Sequence, residues 1–88
     1  MVTKKVQIVN ATGLHLRPAG LLCEIAMKYT SKITFNTDNN YEANAKSVLS
    51  VLGACVKSGE EIEIICDGID EEEALEDMVN SISAGLGE

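Results

Sequence analysis

The chain has few of the features that mark membrane, nucleic-acid-binding or disulfide-stapled proteins. No stretch approaches the roughly 20 apolar residues that a membrane-spanning helix needs, and the N-terminal residues contain no apolar signal-peptide core. Basic residues are scarce: 7 Lys and Arg stand against 14 Asp and Glu, which gives a net charge of −7, and they form no run. Because an acidic chain without a basic patch is repelled by phosphate backbones and acidic lipids, we expect a cytoplasmic protein that binds neither nucleic acid nor a membrane.

Cysteine pairs and metal-ligand clusters are also missing. Cys23, Cys55 and Cys66 are far apart, and no two form a Cys-x-x-Cys pair, so neither a disulfide framework nor a redox dithiol is expected. Cys23 and Cys55 fall in predicted helices and Cys66 at the end of a predicted strand. We interpret all three as reduced thiols that act as small hydrophobic residues, in preference to nucleophiles or ligands. Because the chain also has a single histidine and no glycine-rich phosphate loop, we expect no metal and no cofactor.

Length and periodicity predict one α+β domain over residues 1–88. The 88 residues, 45% of them hydrophobic, are enough for one core but too few for two. Alternating apolar and polar residues predict four strands, at residues 2–8, 32–36, 41–45 and 60–67. Apolar residues at helical spacing predict three helices, at residues 18–29, 48–56 and 70–82. The order βαββαβα implies a two-layer α+β sandwich, in which the helices cover one face of the sheet and the other face is open to solvent.

Two helix starts carry local signals. Ser47 is placed to cap the second helix. Asp70 followed by Glu73 resembles a capping arrangement for the third helix, with Glu71 and Glu72 adding negative charge to its first turn. We interpret the acidic run as a helix start and not as a metal site, because no further carboxylates have the spacing of calcium ligands.

The segment Gly13-Leu14-His15-Leu16-Arg17-Pro18-Ala19 is the most informative for chemistry. Pro18 suits the first turn of a helix because it has no N–H to leave unpaired, which places His15 just outside that helix. The backbone N–H groups of Leu16 and Arg17 would then face an anion at the positive helix end, and the Arg17 guanidinium could reach the same oxygens. A neutral imidazole there could act as a nucleophile for phosphate. An ordinary surface histidine beside a solvated arginine explains the same residues, and both interpretations stay open at this point.

The 13–19 segment, together with Lys46-Ser47-Val48-Leu49, the Lys57-Ser58-Gly59 turn and the element order, resembles HPr, the histidine-containing phosphocarrier family of the bacterial sugar phosphotransferase system. The resemblance runs end to end and implies an open-faced β-sandwich, in which three helices cover one face of a four-stranded antiparallel sheet. It implies a phosphoryl carrier and no enzyme by itself: Nδ1 of His15 would accept a phosphoryl group that enzyme I takes from phosphoenolpyruvate, and IIA domains of sugar permeases would receive it. Arg17 and the backbone N–H groups of Leu16 and Arg17 would stabilise the transferring oxygens, with the Thr12 hydroxyl as a further donor.

The resemblance also implies a regulatory site at Ser47. In many Gram-positive members the HPr kinase/phosphorylase phosphorylates this serine with ATP, and the phosphoserine becomes a ligand for a catabolite-control regulator. A plain helix cap is the alternative, and the two roles are compatible. A phosphate at Ser47 would repel an acidic enzyme I surface, because it would lie among residues that we expect to dock partners. The expected docking residues are Leu16, Arg17, Gly20, Val48, Leu49 and Leu52.

Four positions depart from the family pattern. Leu16 stands where a small residue or threonine is usual, Ser50 where glycine is common in kinase-regulated members, and Glu24 and Met27 where some relatives carry basic docking residues. We expect these departures to change partner affinity and to leave the carrier chemistry of His15 intact.

Two alternatives to a sugar phosphocarrier remain in view. An HPr-like regulatory module, for nitrogen or catabolite control, would act mainly through partner binding; the presence of His15 argues against a purely regulatory relative that lacks the histidine. An acyl-carrier-like protein fits the small size, the acidity and a serine at a helix start. Ser47 lacks the Asp-Ser-Leu attachment motif, however, and strands of period two do not suit an all-helical bundle. We expect a monomer, and the sugars served depend on the permease partners.

Overall fold

The computed structural model describes residues 1–87, which form one antiparallel sheet with helices packed against it. The elements follow the predicted order βαββαβα: β1 (Val2–Gln7), α1 (Leu16–Ala26), β2 (Lys32–Asn36), β3 (Glu42–Asn44), α2 (Val48–Gly53), β4 (Glu61–Asp67) and α3 (Glu71–Ser83). The open-faced α+β sandwich predicted from the sequence is confirmed. An all-helical acyl-carrier fold is thereby excluded. Glu88, the last residue of the predicted domain, lies outside the described residues.

The sheet has the strand order β1-β4-β2-β3, so β4 lies between β1 and β2. Ile62, Ile64 and Cys66 of β4 are all buried, as their alternation predicts. Ile64 lies opposite Phe35 of β2 in the antiparallel register, and both belong to the core. The helices pack against one another and, through α3, against β1 and β4. None of the helices in residues 1–87 is both long enough and apolar enough to cross a membrane.

The first two helices differ from their predicted bounds. Helix α1 begins two residues before Pro18, because the N–H of Ala19 already donates to the His15 carbonyl at 2.8 Å, and it ends at Ala26, before Tyr29. Pro18 therefore lies inside the first turn, where a missing N–H costs nothing. Helix α2 ends at Gly53 and not at residue 56. Cys55 has a φ of 53°, in the left-handed region, and this conformation cannot continue a helix.

The environments of the three cysteines differ more than the sequence suggested. All three are free. Cys66 is buried at the end of β4 as predicted, and burial raises the pKa of its thiol to about 11, with a further contribution from nearby carboxylates. Cys23 is half-buried in α1. Cys55 was predicted to lie in a helix, but it lies in the loop after α2 and is exposed, so its interpretation as a packed helical residue was wrong.

Asp70 occupies the N-cap position of α3, but its side chain makes no capping bond, so the predicted capping arrangement was wrong. The carboxylate accepts hydrogen bonds from the backbone N–H groups of Thr30 and Ser31, each at 2.9 Å, and from the Ser31 hydroxyl. These hydrogen bonds lower the pKa of Asp70 to about 2, the Ser31 hydroxyl contributing most. Asp70 thus joins the loop after α1 to the start of α3. At the start of α3 it is the Glu71 side chain that bonds back to the preceding loop: its Oε1 accepts a hydrogen bond from the Gly68 N–H at 3.1 Å.

Candidate functional site

His15 lies at the N-terminus of α1 with its imidazole exposed to solvent. Its backbone is extended, with φ −72° and ψ −177°, and its carbonyl accepts the first hydrogen bond of the helix. The ring makes no side-chain capping bond. Because the main chain alone carries the capping role, the imidazole nitrogens are left for chemistry outside the helix.

Gly13 allows the loop before α1 to lie directly against the loop after α2. Its φ is 67°, and a Cβ at this position would stand 2.4 Å from the Val56 carbonyl oxygen and 2.9 Å from the Cα of Lys57. The next residue, Leu14, donates its N–H to the same Val56 oxygen at 3.0 Å. Only glycine fits such an approach at a positive φ. Residues 56–58 are therefore held beside His15.

The meeting of the two loops forms an open groove with a volume of about 650 Å³. The structure brings together four of the predicted site residues here, namely Thr12, His15, Leu16 and Leu52. The complete lining is Ala11, Thr12, Leu14, His15, Leu16, Leu52, Cys55, Val56, Lys57 and Ser58.

Six residues of this lining were not predicted as site residues, and three of these six, Cys55, Lys57 and Ser58, are exposed and follow α2. The Lys57-Ser58-Gly59 turn is visible in the sequence, but only the close approach at Gly13 shows which part of the chain that turn faces. Arg17 is exposed in the first turn of α1 and does not line the groove itself.

The local electrostatics favour an anion next to His15. The first turn of α1 contains no acidic residue. The N–H groups of Leu16 and Arg17 have no intrahelical partner, as is general for the first turn of a helix, and they carry the positive end of its dipole. Two cationic side chains are exposed nearby: Arg17 in the first turn of α1 and Lys57 in the groove lining. Within residues 1–87 no group of three or more His, Cys, Asp and Glu side chains could hold a metal ion.

Ser47 caps α2, as the sequence predicts. Its Oγ accepts a hydrogen bond from the Ser50 N–H at 3.2 Å, and the residue is half-buried. Ser50, one of the departures from the family pattern, accepts from the Asn44 N–H at 2.8 Å through its own hydroxyl. Lys46 donates from Nζ to the Tyr29 carbonyl at 2.7 Å, so its ammonium group is tied to the loop after α1.

The predicted docking residues differ in exposure. Leu16 is 69% exposed and Leu49 is 81% exposed. Gly20, Val48 and Leu52 are half-buried. We call these five residues the apolar surface.

Two further exposed residues, Glu24 and Met27, lie on the side of α1 that carries Leu16 and Gly20. The spacings of four, four and three residues place Glu24 and Met27 on the same helical face as Leu16 and Gly20. Both side chains are exposed; Glu24 lies within α1, and Met27 directly follows it. This helical face thus carries an acidic side chain, Glu24, and an apolar one, Met27, in addition to Leu16.

Comparison with known proteins identifies the family. Residues 2–84 match the family model described as "PTS HPr component phosphorylation site". The chain is 38% identical over 79 residues to the HPr-like protein Crh of Halalkalibacterium halodurans, covering 90% of this chain and 93% of that protein. It is 39% identical over 75 residues to the phosphocarrier protein HPr of Treponema pallidum, covering 85% and 84%.

Solved structures agree with these sequence relatives. The crystal structure of an HPr from Thermoanaerobacter tengcongensis superposes with a TM-score of 0.95 at 38% identity and covers 100% of this chain and 98% of its own. A crystal structure of Bacillus subtilis Crh, described as a swapped, intertwined dimer, superposes with a TM-score of 0.77 at 36% identity over 96% and 95% of the two chains. The chain therefore belongs to the HPr family of phosphocarrier proteins.

Proposed function

We propose that the chain carries a phosphoryl group on Nδ1 of His15, accepts it from phospho-enzyme I and delivers it to IIA domains of sugar permeases. The observation that carries this proposal is the exposed imidazole, which makes no capping bond and opens onto a groove at the positive end of α1. Relatives named phosphocarrier proteins support it. Phosphoenolpyruvate is the ultimate donor, and we place the exchange in the cytoplasm.

The transfer itself asks for positioning and charge stabilisation. The lone pair of Nδ1 of His15 attacks phosphorus while the bond from phosphorus to the enzyme I histidine breaks, and that histidine keeps the electron pair. The N–H groups of Leu16 and Arg17, the Arg17 guanidinium and the Thr12 hydroxyl stabilise the negative charge on the equatorial oxygens. The product phosphoramidate reacts with the next nucleophile, that of a IIA domain. No cofactor enters this sequence, and the chain acts as a carrier between two partners.

Partner docking uses the apolar surface. A few well-packed residues near the centre of an interface contribute most of the binding free energy. Within the apolar surface, Leu16 and Leu49 are the most exposed side chains and have the most area to bury. Glu24 lies at the edge of the same face, where it repels an acidic partner surface. We therefore expect the enzyme I and IIA partners of this chain to present a less acidic surface to Glu24 than the partners of an HPr with a basic residue at this position. We propose that the free protein is a monomer.

Regulation at Ser47 is compatible with its capping role. A phosphate ester on Ser47 keeps oxygen acceptors next to the Ser50 N–H, so the start of α2 is not disrupted. The added charge of about −2 lies beside Val48 and Leu49, where it opposes the burial of the apolar surface by an acidic partner. In this proposal the kinase is an HPr kinase/phosphorylase and the phosphoserine recruits a catabolite-control regulator.

A regulatory module is the second candidate function. The identities to the HPr-like protein Crh, 38%, and to a phosphocarrier HPr, 39%, differ by one percentage point, so sequence similarity does not separate the two functions. In that case the chain acts through binding at the apolar surface, for nitrogen or catabolite control, and Ser47 is the principal modified residue.

Phosphorylation by enzyme I separates the two candidates. The chain is incubated with enzyme I, magnesium and phosphoenolpyruvate, and mass spectrometry maps any added phosphate and its lability in acid. An acid-labile phosphate on His15, lost in His15→Ala, supports the carrier. Absence of label, with a control HPr phosphorylated by the same enzyme I, refutes the carrier and favours the regulatory module.

Replacing Arg17 by alanine tests the electrostatic part of the proposal. We expect the transfer rate from phospho-enzyme I to fall by about tenfold or more with the fold intact, because one cation near the transferring oxygens is lost. Lys32→Ala is the matched control, since Lys32 is exposed at the start of β2, outside the groove. Equal rates for the two variants would remove Arg17 from the mechanism.

Replacing Ser47 by aspartate tests docking. We expect weaker binding of enzyme I, measured by titration calorimetry, while His15 is still phosphorylated at saturating enzyme I. Asn39→Asp makes the same charge change at an exposed position in the turn between β2 and β3. If both variants bind enzyme I with the affinity of the parent, the apolar surface next to Ser47 is not the docking site.

A further inference from the structure

Asn10 is a buried polar residue in the loop between β1 and α1, five positions before His15. Its residue surface is only 4% exposed. Its Nδ2 donates a hydrogen bond to the Gly13 carbonyl, and its main-chain oxygen accepts from the Gly13 N–H at 3.1 Å. Side chain and main chain of Asn10 thus close the same turn from two directions.

The peptide unit between Gly13 and Leu14 is held at both of its polar groups. Its oxygen accepts from Nδ2 of Asn10, and its N–H donates to the Val56 carbonyl at 3.0 Å. A planar peptide fixed at both ends cannot rotate without breaking a buried hydrogen bond. Leu14 is itself buried, so the orientation of this peptide fixes the direction in which His15 leaves the loop.

The second polar atom of the same amide shows that packing alone does not explain Asn10. Its Oδ1 is buried and has no hydrogen-bond partner among the residues that the structure describes. A buried acceptor without a donor costs about 1–3 kcal/mol, which a small apolar side chain at this position would avoid. The feature that such a side chain could not supply is the donor to Gly13.

We propose that Asn10 is a positioning residue for phosphoryl transfer, which fixes the Gly13–Leu14 peptide and through it the imidazole of His15 in the groove. The inference rests on the proposed function, because only an attack on phosphorus makes the direction of the imidazole matter. Small errors in the alignment of a nucleophile lower the rate constant of the chemical step more than they change binding. Asn10 is also outside the groove lining and the apolar surface, so docking is left as it was.

The test compares Asn10→Ala with Ser31→Ala in phosphoryl transfer from enzyme I, well below the unfolding temperature of either variant. Ser31 is buried and gives up one side-chain hydrogen bond, to Asp70, so its replacement is a matched loss of stability away from His15. We expect kcat to fall by about fivefold or more in Asn10→Ala with KM for the carrier within about twofold, and both constants to stay within about twofold in Ser31→Ala. Asn10→Ser, which keeps a short donor, should recover part of kcat.

Amide hydrogen exchange gives a readout that does not need a partner. We expect the Leu14 N–H to exchange faster in Asn10→Ala than in the parent or in Ser31→Ala, because the peptide is freed at its oxygen. Unchanged kcat in folded Asn10→Ala or Asn10→Ser, or an effect on KM alone, overturns the inference while the carrier function stands. If the parent chain itself takes no phosphate from enzyme I, the proposed function fails, and the transfer role of Asn10 fails with it.

Discussion

Replacing Gly13 by alanine should lower the free energy of unfolding by about 2–4 kcal/mol, because both the conformation and the space at this position exclude a Cβ. The φ of 67° costs an alanine about 1 kcal/mol relative to glycine. The new Cβ would also stand 2.4 Å from the Val56 oxygen, 2.9 Å from the Lys57 Cα and 3.0 Å from the Ser58 nitrogen. All three are backbone atoms, so no side-chain rotation relieves the contact, and forced separation adds about 1–3 kcal/mol.

Two other glycines isolate the separate contributions. Gly59 has a φ of 89° but open space around its missing Cβ, so Gly59→Ala measures the conformational cost alone, about 1 kcal/mol. Gly20 lies inside α1 with nothing within 4 Å of a Cβ. Gly20→Ala should therefore raise the stability by about 0.5–1 kcal/mol.

Urea denaturation followed by far-ultraviolet circular dichroism gives the three free energies, since the chain has no tryptophan for fluorescence. The expected order of stability is Gly20→Ala, parent, Gly59→Ala and then Gly13→Ala. If Gly13→Ala costs no more than Gly59→Ala, the loop of residues 56–58 moves away without loss. The close approach at Gly13 would then not restrict the residue at this position, contrary to the steric cost expected here.

Three further predictions concern pH, thiol chemistry and docking. The free energy of unfolding should fall as the pH drops from about 5 towards 2. The native pKa of Asp70, about 2, lies below its ordinary value of 3.8, so the ionised carboxylate stabilises the folded state fully above pH 3.8, and this stabilisation is lost as the pH falls to 2. Asp70→Asn should flatten this part of a curve of urea midpoint against pH, and an unchanged curve would contradict the hydrogen-bonding account. Iodoacetamide should alkylate the exposed Cys55 well before the buried Cys66, whose thiol has a pKa raised to about 11, as read by mass spectrometry of the native protein; equal rates would mean that the end of β4 opens readily. Leu49→Ala should weaken enzyme I binding by about tenfold while Ile69→Ala, at a 97% exposed position before α3, should not, and equal affinities in titration calorimetry would rule out the apolar surface.

Much of the fold follows from local pattern. The alternation of Ile62, Ile64 and Cys66 predicts a half-buried strand, and the structure buries all three against the helices. Ser47 was predicted as a cap because a serine before an apolar helical run has an Oγ that can reach the N–H groups of the first turn, and it does so. These predictions succeed because each depends only on residues within one helical turn or one strand.

The ends of the helices were predicted less well, for a tertiary reason. The apolar residues after Gly53 continue the helical spacing of α2, yet Cys55 takes a left-handed conformation and Val56 turns its carbonyl towards Leu14. Asp70 fits the pattern of a cap, but its carboxylate accepts hydrogen bonds from two N–H groups of the loop after α1 and from none in the first turn of α3. In both cases a partner about 40 residues away decides the local conformation, and no neighbour in sequence reports it.

Local sequence patterns were enough to predict the order of elements, the buried faces and the segment that carries His15. Tertiary structure decided what surrounds that histidine: the groove, the approach of Lys57 and Cys55, and the peptide held by Asn10. Periodicity records whether a residue faces the core or the solvent, since that depends on its own element. Which backbones come within hydrogen-bonding distance depends on the packing of all the elements together, and here it depends on one glycine with no Cβ to keep two loops apart.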